Sequence, residues 1–207
     1  MSAVSLKQAA ELICRDLNLG VEPPEFLALC AEDEIGGYPE KWPMGSIWDV
    51  EGRVLYALAR ILKPSHVVEV GTGGGCSTAH LEAAVRKYRP MGKIWTVDVG
   101  GNPPDFINKS KHVVRAAMDG IEFLNSWDEG LIDLLFEDGP HSTEFTCMAI
   151  LTAMPHLSPG AVVVVHDAEH FLVGQAVSSG IHQAVGDFGH VLIEPSDCGL
   201  GYWRKGQ

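Results

Sequence analysis

From residue 66 onward, short runs of β-branched and apolar residues alternate with stretches whose apolar positions recur every three or four residues. The strand-like runs fall at 66–70, 94–99, 113–116, 132–136, 161–165, 191–193 and 200–205. Several are apolar at almost every position, the pattern of strands covered on both faces. Helical spacing over 76–89, 119–126, 143–154 and 173–186 separates most of them. Strand–helix–strand alternation predicts parallel crossover units, and so an α/β fold with a doubly wound sheet. The connection between the last two runs is too short for a parallel crossover, so these two are expected to pair antiparallel. Seven strands result, mostly parallel, with an antiparallel terminal hairpin.

Upstream of residue 66 the pattern is helical. Ser5-Leu6-Lys7-Gln8 fits a capping box, and Leu6, Ala10, Ile13 and Leu17 follow at helical spacing. Gly20 and Pro23-Pro24 are expected to end that helix. Residues 32–46 are rich in Gly and Pro and read as a long loop. Trp42 and Met44 within it suit a flap over a site better than a solvated linker. Asp49 is placed to cap a further helix, with Val54, Leu58, Ile61 and Leu62 facing inward. The chain reads as one domain over 1–207, with 1–46 as an N-terminal helix and substrate-side flap. At 207 residues and 46% hydrophobic content it can bury one core without disulfide or metal staples.

Charge narrows the partners. Fifteen basic against 27 acidic residues give a formal charge of −12. The basic pairs Arg86-Lys87 and Arg204-Lys205 are too short to displace counterions from a phosphate backbone, so no nucleic acid is expected. No apolar run approaches the roughly 20 residues that span a bilayer, and no basic segment leads into an apolar one at the N-terminus. No membrane association is expected. Five scattered cysteines without a C-x-x-C pair suit reduced thiols in a cytoplasmic protein.

The first candidate chemistry lies at Val67-Val68-Glu69-Val70-Gly71-Thr72-Gly73-Gly74-Gly75-Cys76-Ser77, where the first strand turns into its helix. In an open α/β sheet this turn borders the ligand crevice, and glycine allows positive φ and close backbone approach there. Asp98 ends the next strand, where a carboxylate can accept hydrogen bonds from ribose hydroxyls. The spacing departs from the G-x-G-x-x-G dinucleotide fingerprint, because Cys76 holds the sixth position. Glu69 beside the turn suits a cationic ligand better than a pyrophosphate.

The E-x-G-x-G-x-G pattern resembles motif I of the class I S-adenosylmethionine-dependent methyltransferases, whose fold is Rossmann-like. The stretch from Gly45 to Arg53 and the tail from Gly199 to Arg204 resemble the catechol and caffeoyl-CoA O-methyltransferases, and the likeness covers about residues 45–205. The resemblance implies S-adenosylmethionine as cofactor. It implies contacts from Ser46, Ile47, Glu69, Gly71, Thr72, Gly73, Gly75, Ser77, Asp98, Met118 and Asp138. Met118 reads equally well as a core methionine.

A second constellation ends two later strands: Glu137-Asp138-Gly139-Pro140-His141 and His166-Asp167-Ala168-Glu169-His170. Both open on the edge where the glycine turn sits. Carboxylates brought together need a cation or a proton between them, and oxygen-rich ligation favours Mg²⁺ or a similar ion. The arrangement is similar to the metal-dependent O-methyltransferases, including the macrolide-sugar enzymes with D-D-G-x-H. That likeness implies Asp138 and Asp167 as metal ligands and His141 as general base. Two departures stand out: Ala168 replaces the Asn ligand of the catechol type, and His166 replaces the Glu of the sugar type. His166 is the candidate replacement ligand, beside Glu169 or water.

The expected activity is methyl transfer to a hydroxyl oxygen of a small-molecule acceptor. Trp42, Met44, Trp48 and Phe171 are candidate walls of the acceptor pocket. Other readings remain open. Asp138 can cap the helix that starts near residue 142. The domain can serve as a silent S-adenosylmethionine-binding subunit or sensor, or as an NAD-dependent oxidoreductase. His166 to His170 also spells H-x-x-E-H, but zinc binding by that string needs a helix, and a valine run precedes it. His80, His112, His156, His182 and His190 show no paired acid. Exposed apolar residues of the first helix would allow a homodimer.

Overall fold

The computed structural model describes residues 2–32, 46–89, 91–100 and 104–206. Eight α-helices and seven strands are seen among them. In chain order these are α1 (Leu6–Asp16), α2 (Pro23–Ala31), α3 (Asp49–Leu62), β1 (His66–Val70), α4 (Cys76–Tyr88), β2 (Lys93–Val97), α5 (Asp105–Lys109) and β3 (Val113–Ala116). Then follow α6 (Gly120–Asn125), β4 (Ile132–Glu137), α7 (Thr143–Ala153), β5 (Leu157–His166), α8 (Gly174–Val185), β6 (Gly189–Val191) and β7 (Leu200–Arg204). They form one sheet in the order β3-β2-β1-β4-β5-β7-β6. The first five strands are parallel; β7 runs antiparallel to both β5 and β6.

Alternation along the strands divides the core. Val67, Leu134, Phe136, Val162 and Val164 face the layer of α1–α4, while Val68, Val70, Leu135, Val163 and Val165 face α6–α8. Successive side chains of a strand point to opposite faces, so a residue's parity fixes which helical layer it meets. Each fully buried valine of this kind contributes about 1.5–3 kcal/mol. The sheet order also fixes where a ligand fits. Chain connections leave β1 toward β2 on one side, while β4 lies on the other, which makes the β1/β4 boundary a topological switch point.

Several expectations are corrected. Pro23 and Pro24 do not merely end the preceding helix; they occupy the first turn of α2, where a missing N–H costs nothing. The short helix α5 carries no sequence signal strong enough to be read. The N-cap of α3 is Trp48, whose backbone N donates to Glu51 Oε2 at 3.2 Å, while Asp49 pairs with Arg53. β5 starts at Leu157, four residues early, and its register against β4 shifts between the Ile132–Leu157 and Leu134–Val162 pairs. The sixth strand lies at 189–191, and Ile193 instead bridges Val4 near the N-terminus.

The capping box at Ser5 is present, with Gln8 N donating to Ser5 Oγ at 3.3 Å. Ala10, Ile13 and Leu17 are buried, and Leu6 and Leu12 pack against the core. The apolar residues of α1 are therefore engaged within the domain. No cysteine is in a disulfide. Among the described residues, no helix is long and apolar enough to cross a membrane. Trp42 and Met44 lie outside the described residues.

Candidate functional site

The glycine turn extends the ladder at the switch point. Gly71 N donates to Val97 O and Asp138 N to Val70 O, each at 2.8 Å. Gly71 has φ +94, and a Cβ built there would lie 2.0 Å from Asp138 O. The approach of the β1 and β4 ends therefore requires glycine. At Gly73, φ is +45 and the space beside it is open. Gly75 is the left-handed N-cap of α4. Asp98 holds the loop through both carboxylate oxygens, accepting from Gly73 N at 2.9 Å and Gly100 N at 3.0 Å. Beside it opens a cavity of about 240 Å³, lined by Val70, Gly71, Asp98, Asp119, Pro140 and Phe145 among others.

Beneath the turn, Glu69 has the parity of Val67 and meets α4. It is fully buried, and Oε2 accepts from Thr78 Oγ1 at 2.5 Å. Its Oε1 has no hydrogen-bond partner among the described residues, nor has the buried Ser46 Oγ. Burial pushes the Glu69 carboxyl up to about 7, against the pull of the Ser77, Thr78 and Thr96 hydroxyls. The orphaned oxygens, the open face of Gly73 and the cavity together fit a bound nucleoside bearing a cationic group. Thr72 is turned away, its Oγ1 lying 2.6 Å from Thr96 Oγ1. Met118 packs against the α6–α8 layer, and its neighbours Asp119 and Gly120 line the cavity. Ile47 is buried, and its carbonyl accepts from Cys76 Sγ at 3.7 Å, which brings the lead-in of α3 onto the glycine turn.

The second constellation converges as one cluster on the other side of Asp138. Asp138 Oδ1 lies 3.1 Å from both His141 Nε2 and His166 Nδ1. Asp167 Oδ2 lies 3.0 Å from His141 Nε2 and 3.4 Å from His166 Nδ1. Two imidazoles thus alternate with two carboxylates. His141 and Asp167 carry positive φ, +41 and +59, a conformation uncommon outside glycine and frequent at functional sites. Asp138 does not cap α7; Ser142 does, accepting from Phe145 N at 3.1 Å.

The charges are mutually stabilised. Hydrogen bonds to Asp138 and Asp167 raise His141 to about 10. Burial works against charge on His166, but the Asp138 carboxylate outweighs it and holds the imidazole well above its ordinary value. Burial likewise opposes ionisation of Asp138, yet His166 and His141 keep it below the usual carboxylate range, and Asp167 is lowered by the same pair. One donor atom from each of the four lies within 4.8 Å of the others. That spread suits an ion with bonds of about 2.0–2.2 Å to nitrogen and oxygen.

Residues 68–168 match the family model of the methyltransferase domain. Over that stretch, from β1 to β5, the chain is similar to the methyltransferases. No curated protein matches its sequence. The fold is shared with solved structures at low identity. The S-adenosylhomocysteine-bound methyltransferase PaMTH1 of Podospora anserina superposes with TM-score 0.64 at 15% identity, covering 100% of this chain and 99% of that one. The O-methyltransferase TomG of Streptomyces achromogenes, solved with S-adenosylmethionine, gives 0.61 at 18%, covering 99% and 92%. The mycinamycin-pathway methyltransferase MycE, solved with Mg, S-adenosylhomocysteine and mycinamycin VI, gives 0.55 at 16%, covering 88% and 54%.

Within the matched stretch, Gly71, Asp98 and Asp138 line one cavity, and Asp138 joins it to His141, His166 and Asp167. Trp48 and Phe171 are exposed, Trp48 donating to Asp197 at 3.0 Å. His166 closes β5 and His170 follows a turn, so H-x-x-E-H is not on a helix. His190, for which the sequence shows no acid partner, contacts Glu169. Asp119, which with Met118 stands where the resembled family contacts adenine, lines the cavity; sequence reasoning missed Pro140 and Phe145 there. It also missed Glu51, a fully buried α3 carboxylate 3.0 Å from His166 Nε2. The one available signal was a Glu three residues after the helix start, which reads as capping alone.

Proposed function

We propose that this methyltransferase moves the methyl group of S-adenosylmethionine to a hydroxyl oxygen of a small-molecule acceptor. Asp138, Asp167 and His166 hold a divalent cation, and His141 takes the hydroxyl proton. The observation that carries this reading is the cluster of Asp138, His141, His166 and Asp167, whose first member abuts the glycine turn through its backbone. Asp98 would hold the donor's ribose, and Glu69, whose Oε1 has no partner among the described residues, would face its cationic amino end. The acceptor oxygen forms a bond to the methyl carbon as the carbon–sulfur bond breaks, and the electron pair leaves on a neutral sulfide. A divalent charge at the cluster makes the hydroxyl more acidic and takes up the carboxylate pull on His141. His141, at 36% side-chain exposure, can be reached by the acceptor and takes the proton, while His166, at 4%, is buried.

The test is His141→Ala. Calorimetry with S-adenosylhomocysteine is expected to show affinity within twofold of the parent. Radiolabelled methyl transfer to a panel of catechols and hydroxylated sugars is expected to fall about 10²–10⁴-fold. Undiminished transfer overturns the role of His141, and absence of S-adenosylhomocysteine binding overturns the cofactor.

A further inference from the structure

His166 differs from the other cluster members in what stands behind it. Its Nδ1 faces Asp138 and Asp167, and its Nε2 lies 3.0 Å from Glu51 Oε2. Glu51 is at 0% exposure and receives three more donors: Trp48 N on Oε2 at 3.2 Å, Ser196 Oγ on Oε1 at 2.7 Å, and Gly199 N on Oε1 at 2.9 Å. A carboxylate surrounded by donors is an acceptor toward each. The Nε2 of His166 therefore keeps its proton, and Nδ1 is the nitrogen that can exchange its proton for an ion. This is the arrangement by which a metal-bound imidazole is oriented, its far N–H held by a carboxylate. Hydrogen bonds from α3's N-cap and the 196–199 segment hold Glu51 from two sides.

We propose that Glu51 and His166 make this centre selective for a divalent transition ion of the manganese-to-zinc series over Mg²⁺. The proposal rests on the reading above that the cluster holds a cation, and it adds which class of cation. Any ion between Asp138 and Asp167 meets His166 Nδ1, which binds it by giving up its proton. Imidazole nitrogen suits the borderline transition ions, whereas Mg²⁺ favours oxygen donors and keeps its waters. The neighbouring Ala168 is buried and offers no side-chain oxygen in compensation.

The experiment is calorimetric titration of the full chain with CoCl₂ and with MgCl₂, in the parent, His166→Asn and Glu51→Gln. Asn places an amide oxygen near the position of Nδ1, so the difference between variants removes the general preference of proteins for cobalt. The parent is expected to bind Co²⁺ at least a hundredfold tighter than Mg²⁺. In His166→Asn that ratio is expected to fall tenfold or more, chiefly through weaker Co²⁺ binding, with a changed visible Co²⁺ absorption band. Glu51→Gln is expected to weaken Co²⁺ binding about 10–100-fold. S-adenosylhomocysteine affinity and thermal unfolding, followed in all three, show whether each variant remains folded. A ratio and spectrum unchanged in folded His166→Asn overturn the nitrogen ligand and leave the cation itself standing. Binding of neither ion by the parent, with S-adenosylhomocysteine still bound, overturns the metal role in the proposed function and this inference with it.

Discussion

The two halves of the crevice meet at Asp138 and are built on opposite principles. On the β1/β2 side the glycine turn lies open, and two buried oxygens, Glu69 Oε1 and Ser46 Oγ, have no hydrogen-bond partner among the described residues. On the β4/β5 side four charged groups face one another within 4.8 Å and satisfy one another. A buried polar atom without a partner costs about 1–3 kcal/mol, so the first half is stabilised by whatever ligand supplies the missing bonds. The second half is already neutralised by its own imidazoles, and an incoming cation has to compete with two protons. One half is open to a ligand; the other exchanges one set of charges for another.

Gly71→Ala puts the greatest strain on this division. A side chain at φ +94 costs about 1–2 kcal/mol, and the overlap with Asp138 O forces the two strand ends apart. We expect a loss of about 3–5 kcal/mol, or roughly 10 °C in thermal midpoint, together with loss of measurable S-adenosylhomocysteine binding. Gly73→Ala is the contrast, since its φ of +45 is a milder departure and nothing lies nearby. It is expected to cost about 1 kcal/mol and still lower that affinity tenfold or more, because the new methyl occupies ligand space. Equal melting losses in the two variants would erase the difference between a turn shaped by the protein and one left open for a ligand.

The halves also respond to pH in opposite directions. Glu69, raised to about 7 by burial, is protonated in the folded chain where the unfolded chain ionises it. Its contribution to stability is complete below the unfolded value near 4.5 and is lost as pH rises through about 7, roughly 3 kcal/mol in all. Asp138 and Asp167 are held low, so their contribution is present at neutral pH and lost on acidification. Urea unfolding at pH 5 and pH 8 separates the two. Glu69→Gln, a mimic of the protonated acid, is expected to gain roughly 3 kcal/mol on the parent between those values. A constant difference between the two proteins would show that Glu69 ionises freely where it stands.

The same contrast explains what could be read from the sequence. The glycine half is local: seven residues from Glu69 to Gly75 carry the acid, the turn and the helix start, so spacing alone identifies them. Asp138, His141, His166 and Asp167 were also legible, because each follows directly on a strand and strand ends share an edge. Glu51 was not, since its importance comes from meeting His166, 115 positions away, with Ser196 and Gly199 still further on. Phe145 reaches the cavity from the start of α7, where an apolar residue reads as core. In the fold, α2 was hidden because a proline pair marks a helix start as readily as a helix end.

The smallest expected effect concerns how the open half keeps its wall in place. Asp119 lines the cavity and caps α6, its Oδ1 accepting from Ile121 N at 2.9 Å and Glu122 N at 3.1 Å. Asp119→Ala strips both donors of their acceptor and is expected to cost about 1 kcal/mol, or roughly 2–4 °C. Asp119→Asn keeps an acceptor oxygen while removing the charge, and α6 is only six residues long, with a correspondingly small dipole. Asn is therefore expected to hold stability to within about 0.5 kcal/mol. Equal losses for Ala and Asn would assign the wall to charge instead of hydrogen-bond geometry. The open half would then share the organising principle of the charged cluster across Asp138.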